Sequence, residues 1–459
     1  MNSYILFFTI LGLPLTTFLL LGILWMLGVS IPEKWIGRII KAIYGLMFVS
    51  FLGLSWLVIQ EPNHLIHLSL GEWFRLEHYE YPMSFQLDSI AMPFAGLTII
   101  LCGIVGSFSI TYLHRDPGFL RFFLLLVLFS FGALLVFTSS SLDLLIAGWE
   151  LVGITSVLLI SFFQYRPEPV QNALRVFATY RVADLFILVS VFLAHQWFGA
   201  ADWNRFREIA LDVGNTEISP WMLTLFPILL VFAASGKSAQ GPFCGWLARA
   251  MEGPTPSSAI FYGAISVHAG PYLLLRAEPI IRQSTTATVL LFFIGSTTAL
   301  LSTMIQRSST DAKTSLAYAS QTQLGIIFVE ISLGWHALAL IHVIGHATVR
   351  AMQFLRSPSM LSDYHRLHSG AGGQLEATGA HYDMLVPEKW QRRLYCFTLF
   401  RGFHDAIWER IFFRPLFSLV KLLSKIESSR PKTCPDTRSN LMEEHRSTEQ
   451  NQQPDHKTI

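Results

Sequence analysis

The chain has 459 residues, of which 52% are hydrophobic and only 14% charged, against about 25% charged in soluble domains. That balance excludes an ordinary soluble domain and predicts an all-α polytopic membrane protein. The formal net charge of +2 comes from basic residues scattered between apolar runs, without the basic stripe that nucleic-acid binding needs.

About 20 apolar residues cross a bilayer, and eleven spans are predicted: 3–29, 36–60, 88–113, 118–138, 142–164, 170–197, 220–250 (broken), 256–277, 286–306, 312–333 and 336–356. Met1 to Val29 has no basic n-region and no small-residue cleavage site, so it reads as a first span rather than a cleaved signal. Residues 1–87 therefore form two spans and an external loop, in which the alternation from Leu68 to Phe85 predicts a small hairpin. Loops after odd-numbered spans carry Lys34, Arg38, Lys41, Arg115, Arg121, Arg166, Arg249, Arg307, Lys313, Arg356 and Arg366. Loops after even-numbered spans are poorer in basic residues, so the N-terminus is expected outside and the C-terminal segment in the cytoplasm.

Residues 88–356 hold the remaining spans and form the predicted transmembrane core. Residues 357–390 are polar with a glycine cluster and read as a loop. Residues 391–426 mix aromatic and aliphatic residues with Arg392, Arg393, Arg401, Arg410, Arg414, Lys421 and Lys425, the pattern of an amphipathic helix on the cytoplasmic face or on a partner. Residues 427–459 are polar and proline-bearing, and are expected to be disordered.

Ionised groups at membrane depth are costly, and their default reading is functional. Lys237 follows the apolar run Trp221 to Ala234 and precedes Pro242; a helix broken there survives only where its backbone lines a cavity or is buried in protein. The bland alternative is a lysine snorkelling from a helix end. Glu150 lies near the middle of the fifth span and must be paired, hydrated or protonated; a neutral core glutamic acid is the alternative. Arg181 and Asp184 of the sixth span are three apart and share a face, which suits a structural ion pair equally well. Lys313 sits at the cytoplasmic end of the tenth span, and Glu330 near its other end, where an interfacial position is expected. In the eleventh span His342, His346 and Arg350 recur every four residues on one face. A stacked histidine pair is a natural proton relay; metal binding is the alternative, with no acidic neighbour in sequence.

The four cysteines, Cys102, Cys244, Cys396 and Cys434, are far apart and show no CxxC or Cys/His spacing. No disulfide framework, zinc site or iron–sulfur cluster is predicted. Without a glycine-rich phosphate loop after a strand, no cofactor is expected in this chain.

Four stretches resemble the antiporter-like, proton-translocating subunits of respiratory complex I, of the NADH–quinone oxidoreductase subunit 5 (L) type, and the large Mrp antiporter subunit. They are LDSIAMPF from Leu87, DLLIAGWELVGITSVLLISFF with ALRVFATYRVADLFIL, GKSAQGPFCGWLARAMEGPTPSSA from Gly236, and TDAKTSLAYASQTQLG with HVIGHATVRAMQFL. WERIFFRPL from Trp408 is similar to a segment near the C-terminus of subunit 5 proteins. The resemblance implies two inverted five-helix repeats, of which this sequence holds one complete and one partial, ending after the eleventh helix. It also implies a proton path through Glu150, Lys237, Lys313, His342 and His346, with Arg181, Asp184 and Arg350 as supporting charges and Glu150 tuning Lys237. The broken twelfth helix with its lysine, and the lateral helix of subunit 5, have no counterpart in this sequence. Arg350 stands where the family has a lysine, and arginine is a poor proton carrier. Tyr262 and Cys244 stand at usual histidine positions, and Arg249 follows Ala248 where the family has Pro-Asp. His268, six residues after Tyr262, is expected on a different face.

The implied role is a proton-translocating membrane subunit of an energy-converting complex in a bacterial inner (cell) membrane. Its partners would be other membrane or cytoplasmic subunits, with redox chemistry and quinone belonging to those partners. One alternative is the membrane subunit of a two-component inorganic-carbon uptake system beside a large cytoplasmic zinc protein. Another is a structural subunit that conducts nothing.

Overall fold

The computed structural model describes residues 2–76, 79–212, 218–309, 311–357, 387–400, 402, 410 and 414–428. Apolar runs become helices because only a helix satisfies every backbone polar group inside lipid. The run is α1 (Asn2–Met26), α2 (Glu33–Gln60), α3 (Ala91–Tyr112), α4 (Phe119–Thr138), α5 (Leu142–Ile160), α6 (Pro167–Phe198) and a short amphipathic α7 (Trp203–Leu211). It continues with α8 (Met222–Lys237), α9 (Trp246–Arg249), α10 (Thr255–Ile281), α11 (Thr285–Ser308), α12 (Ala312–Ser332) and α13 (His336–Arg356). Nine helices are long and apolar enough to cross a membrane among the described residues. The sixteen-residue α8 and the polar α12 occupy two further predicted spans, so every predicted span is helical, the seventh in two pieces. Helix α14 (Glu388–Leu399) follows the core. Helix α15 (Arg414–Ser428) belongs to a separate unit, residues 403–459, and is amphipathic by sequence.

Between α2 and α3 the predicted hairpin forms. Strand β1 (Ile66–Leu76) pairs antiparallel with β2 (Tyr79–Leu87), with Ile66 opposite Leu87 and Leu68 opposite Phe85. Leu68, Phe85 and Leu87 are buried, as alternation requires. The hairpin is fastened to the α4–α5 turn, where the Ser84 carbonyl accepts from the Ser140 amide at 3.1 Å. Trp203 of α7 donates to the Ser139 carbonyl at 2.8 Å. Successive antiparallel helices place the α6–α7 turn, the start of α8, the end of α10 and the α12–α13 turn at this same hairpin end.

Asp88 locks that end. Its carboxylate caps α3 by accepting from the Ile90 and Ala91 amides at 3.0 and 2.9 Å. Arg276 of α10 donates to both its oxygens, at 2.5 and 3.0 Å, and to the Tyr272 hydroxyl at 3.0 Å. Burial pushes the Asp88 carboxyl up, but the Arg276 guanidinium outweighs it, and the carboxyl lies below the usual carboxylate range.

The core centres on α10, which is buried along its whole apolar window, while the windows of α1, α2, α6 and α11 are only 33% buried. Exposed Ile5, Val49, Phe293 and Leu300 suit a lipid-facing surface. Exposed Trp56, Trp221 and Trp335 at the hairpin end, and Trp25 and Trp35 at the far end, match the aromatic belts of the two interfaces.

Candidate functional site

Helix α8 stops at Lys237 and the chain loops through Ala239, whose φ of 53° is left-handed. The freed backbone is satisfied by protein, as membrane depth requires. The Gly236 carbonyl accepts from the Trp246 indole at 2.9 Å, and Ser238 donates to the Val267 carbonyl of α10 at 2.8 Å. Gln321 of α12 donates to the Ala239 and Cys244 carbonyls, and the Gly241 amide donates to Thr298 of α11 at 3.0 Å. Screening the spans only for ionisable groups misses Gln240, Gln321 and Thr298; polar uncharged residues inside apolar runs are the signal that finds them.

Lys237 is buried and donates to the Trp149 carbonyl at 2.9 Å. Its ammonium lies over the rings of Trp149 and Tyr180, at 4.9 and 4.7 Å from their centroids. Such contacts stabilise a desolvated cation by about 2 kcal/mol. The room comes from Gly153: a Cβ there would sit 3.0 Å from Lys237 Nζ. Among the described residues no carboxylate comes within 4.0 Å of that ammonium.

Glu150 instead pairs with Arg181, which bonds Asp184 Oδ2 at 2.9 Å. The Trp149 indole donates to Asp184 Oδ1 at 2.6 Å. Trp149 thus joins the two halves: its carbonyl holds Lys237 and its ring nitrogen holds Asp184. The expected Arg181–Asp184 pair forms, and Glu150 bonds Arg181. Lys237 lies beyond ion-pair distance of Glu150, so any tuning of Lys237 by Glu150 acts through space. Residues 149 and 150 point to different sides of α5, and Arg181 reaches Glu150 from α6. The four ionised groups would sum to zero charge.

Lys313 stands apart at the far end, 3.5 Å from the Gly253 carbonyl. Nearby, Asn172 donates to Glu252 at 3.3 Å.

The histidines form a second cluster. His346 Nδ1 lies 2.9 Å from His268 Nε2, and His268 Nδ1 bonds the Ala264 carbonyl. His268 thus lies on a different face from Tyr262, as expected, and that face meets His346. Regular helical spacing does not hold in α10, where Ser258–Ala264 is a π-helical turn and Ser266–His268 a 3-10 turn. The i→i+5 bonding of a π turn shifts every residue after it to a new face. Tyr262 turns to α5, donating to the Ser156 carbonyl at 3.0 Å.

His342 lies 6.4 Å from His346 between ring centroids. Its Nδ1 meets the Glu330 carboxylate at 2.9 and 3.1 Å, and its Nε2 meets Gln323 Oε1 at 2.9 Å. Glu330, near the end of α12, is buried and paired with His342 of α13. Arg350 is buried and donates to Gln353 at 2.7 Å. The Tyr180 and Ser266 hydroxyls, His346 Nε2 and Arg350 Nε are buried without a hydrogen-bond partner.

A further pair, unseen in the sequence, joins Asp143 of α5 to His195 of α6 at 3.0 Å at the hairpin end. Beside it, burial and then the Asp143 charge push the Asp202 carboxyl above its usual range. Among the described residues no cluster of His, Cys, Asp and Glu has the geometry to hold a metal ion.

Residues 139–372, about half of the chain, match the family model described as NADH:quinone oxidoreductase/Mrp antiporter, TM. Residues 73–123 match the one described as NADH-ubiquinone oxidoreductase (complex I), chain 5 N-terminus. The chain is 34% identical over 299 residues to NADH-ubiquinone oxidoreductase chain 5 of Neurospora crassa, covering 65% of this chain and 41% of that protein. It is 33% identical over 308 residues to the same protein of Cryphonectria parasitica, covering 67% and 46%. It thus spans a little under half the length of these two curated relatives. Its fold is similar to a chain of the Mrp complex from Dietzia sp., with a TM-score of 0.66, 25% identity, and coverage of 77% of this chain and 37% of that one. A chain of the archaeal membrane-bound sulfane sulfur reductase shares the fold alone, with a TM-score of 0.64, 20% identity, and coverage of 75% and 69%. The chain belongs to the NADH:quinone oxidoreductase/Mrp antiporter transmembrane family, and is an integral, multi-pass, all-α membrane protein of the chain 5 kind.

Proposed function

We propose that this chain is a proton-conducting membrane subunit of an energy-converting complex, of the NADH–quinone oxidoreductase chain 5 type. The observation that carries the reading is Lys237: a fully buried ammonium at a helix break, with no carboxylate in ion-pair contact among the described residues, and joined through Trp149 to a Glu150–Arg181–Asp184 group whose charges sum to −1. Such a lysine is poised to lose or regain a proton when its neighbours rearrange. Opening the Glu150–Arg181 pair would release a negative charge toward Lys237 and favour its protonation; closing it would favour release.

From Lys237 the path runs past the Tyr180 and Ser266 hydroxyls to His268, His346 and His342. Buried polar atoms without partners cost about 1–3 kcal/mol each, and are where bridging water fits. Lys313 offers a branch toward the far end, and Arg350 sets a fixed positive field beside the histidines. The partners are other subunits, as the relatives' names imply, and these would carry redox chemistry and any quinone. We place the basic loops and the C-terminal segment on the inner side of an energy-transducing membrane. The fungal relatives favour the mitochondrial one over the bacterial cell membrane.

The test is reconstitution of the purified complex in liposomes, with lumenal pH followed after a potential is imposed. The Glu150→Gln variant is expected to conduct at least about tenfold more slowly, a barrier increase of about 1.4 kcal/mol. Equal rates refute the reading. Identifying the co-purified subunits decides the complex: redox subunits support the respiratory assignment, and a large zinc protein replaces it with inorganic-carbon uptake.

A further inference from the structure

His342 has an acceptor on each side. Glu330 presents a carboxylate to Nδ1, at 2.9 and 3.1 Å, and Gln323 presents its amide oxygen to Nε2 at 2.9 Å. A neutral imidazole carries one N–H and satisfies one acceptor, whereas the imidazolium carries two. With the Gln323 amide in this orientation both ring nitrogens face acceptors, which suits the imidazolium. Turning the Gln323 side chain by half a turn would present its NH2 group to Nε2 and suit the neutral ring.

The next group inward is set the opposite way. The Ala264 carbonyl can only accept, so His268 Nδ1 must carry a proton. In neutral His268, Nε2 is then an acceptor, and His346 Nδ1 donates to it. That leaves the lone pair of neutral His346 on Nε2, which is buried and has no partner.

We propose that Glu330 and Gln323 form a clamp that loads His342 with a proton at the hairpin end of the histidine row, with His346 Nε2 as the next acceptor. The proposal rests on the proton-conducting reading and adds two positioning residues to it. On transfer, His342 gives up the Nε2 proton and becomes neutral, the Gln323 amide turns to donate to the vacated nitrogen, and His346 becomes the cation. The ring centroids are 6.4 Å apart and the His342 nitrogens bond Glu330 and Gln323, not His346, so one water would carry the step. The charged and titratable groups facing this row are Glu330 from α12, His268 from α10, and His346 and Arg350 from α13 itself. Toward the hairpin end, His336 meets Glu278 at 3.2 Å, and Glu278 also pairs with Arg282. Glu330 is the carboxylate that contacts His342.

The test is solid-state 15N NMR of the full chain, labelled at histidine, in lipid vesicles at neutral pH, with the His342→Asn variant assigning the signals. The expected spectrum shows His342 with both ring nitrogens protonated, and His346 neutral with the proton on Nδ1. The Glu330→Gln variant is expected to shift His342 to a neutral tautomer, and Glu330→Asp to keep the imidazolium. A neutral His342 in the unaltered chain overturns the proposal without any variant, and so does an imidazolium that persists in Glu330→Gln. Proton flux measured on vesicles holding the intact complex separates the two ideas. Imidazolium without flux removes the proton-conducting reading and leaves the clamp; flux with a neutral His342 removes the clamp alone.

Discussion

The two ionisable clusters answer the cost of burial differently. Around Trp149, the protein surrounds permanent charges with opposite charges: Glu150 meets Arg181, Arg181 meets Asp184, and Asp184 takes the indole of Trp149. Around His346 it uses histidines, whose charge can change, two of them linked ring to ring, and leaves polar atoms without partners. The first cluster is a closed network, in which removing a member strands a charge. The second is an open row, in which removing a member removes a station. Substitutions in the first should therefore damage stability and conduction together, and those in the second conduction alone.

The largest stability effect is expected for Arg181→Ala, which leaves Glu150 and Asp184 facing each other. Breaking a buried pair costs about 3–5 kcal/mol, and the lower end applies because the Arg181 side chain is 38% exposed. Thermal unfolding in detergent reads this, and an unchanged midpoint would break the comparison. Trp149→Phe removes one hydrogen bond to a buried carboxylate while keeping the ring over Lys237, and is expected to cost about 1–3 kcal/mol. Its Lys237 contacts predict partial conduction. The pH dependence sharpens the picture from outside the spans. Because the folded Asp88 carboxyl lies below its unfolded value, the stability it contributes is complete above about pH 4 and is lost as pH falls further. Arg276→Ala should abolish that acid-side component. Gly153→Ala would place a methyl 3.0 Å from the Lys237 ammonium and is expected to slow proton flux severalfold with little change in unfolding. The smallest stability effect is expected for His346→Asn, within about 1 kcal/mol, with flux falling at least about tenfold. A large loss of stability there would show the histidines to be structural.

Much of this was legible in the sequence, for definable reasons. Span positions followed from apolar length, since lipid leaves the backbone few choices, and the hairpin followed from alternation between Leu68 and Phe85. The Arg181–Asp184 pair followed from helical spacing. Spacing separated His268 from Tyr262 but did not reveal that His268 meets His346, because a π turn is invisible in a pattern of apolar residues. The pairing of Glu330 with His342 was not readable, because it depends on how α12 packs against α13. Asp143 and His195 come from different helices and meet only in three dimensions. Gln321, which holds the α8 break shut, carries no charge to draw notice in a screen for buried ions.

Everything rests on Lys237 being a proton carrier rather than a fixed cation in a tight bundle. The most direct measurement is proton flux under an imposed potential in liposomes holding the intact complex, compared between the unaltered chain and Lys237→Ala, with assembly verified by the co-purified subunits. Flux falling to the rate of empty liposomes is the predicted result. An assembled Lys237→Ala complex that conducts as fast as the unaltered one would contradict the account.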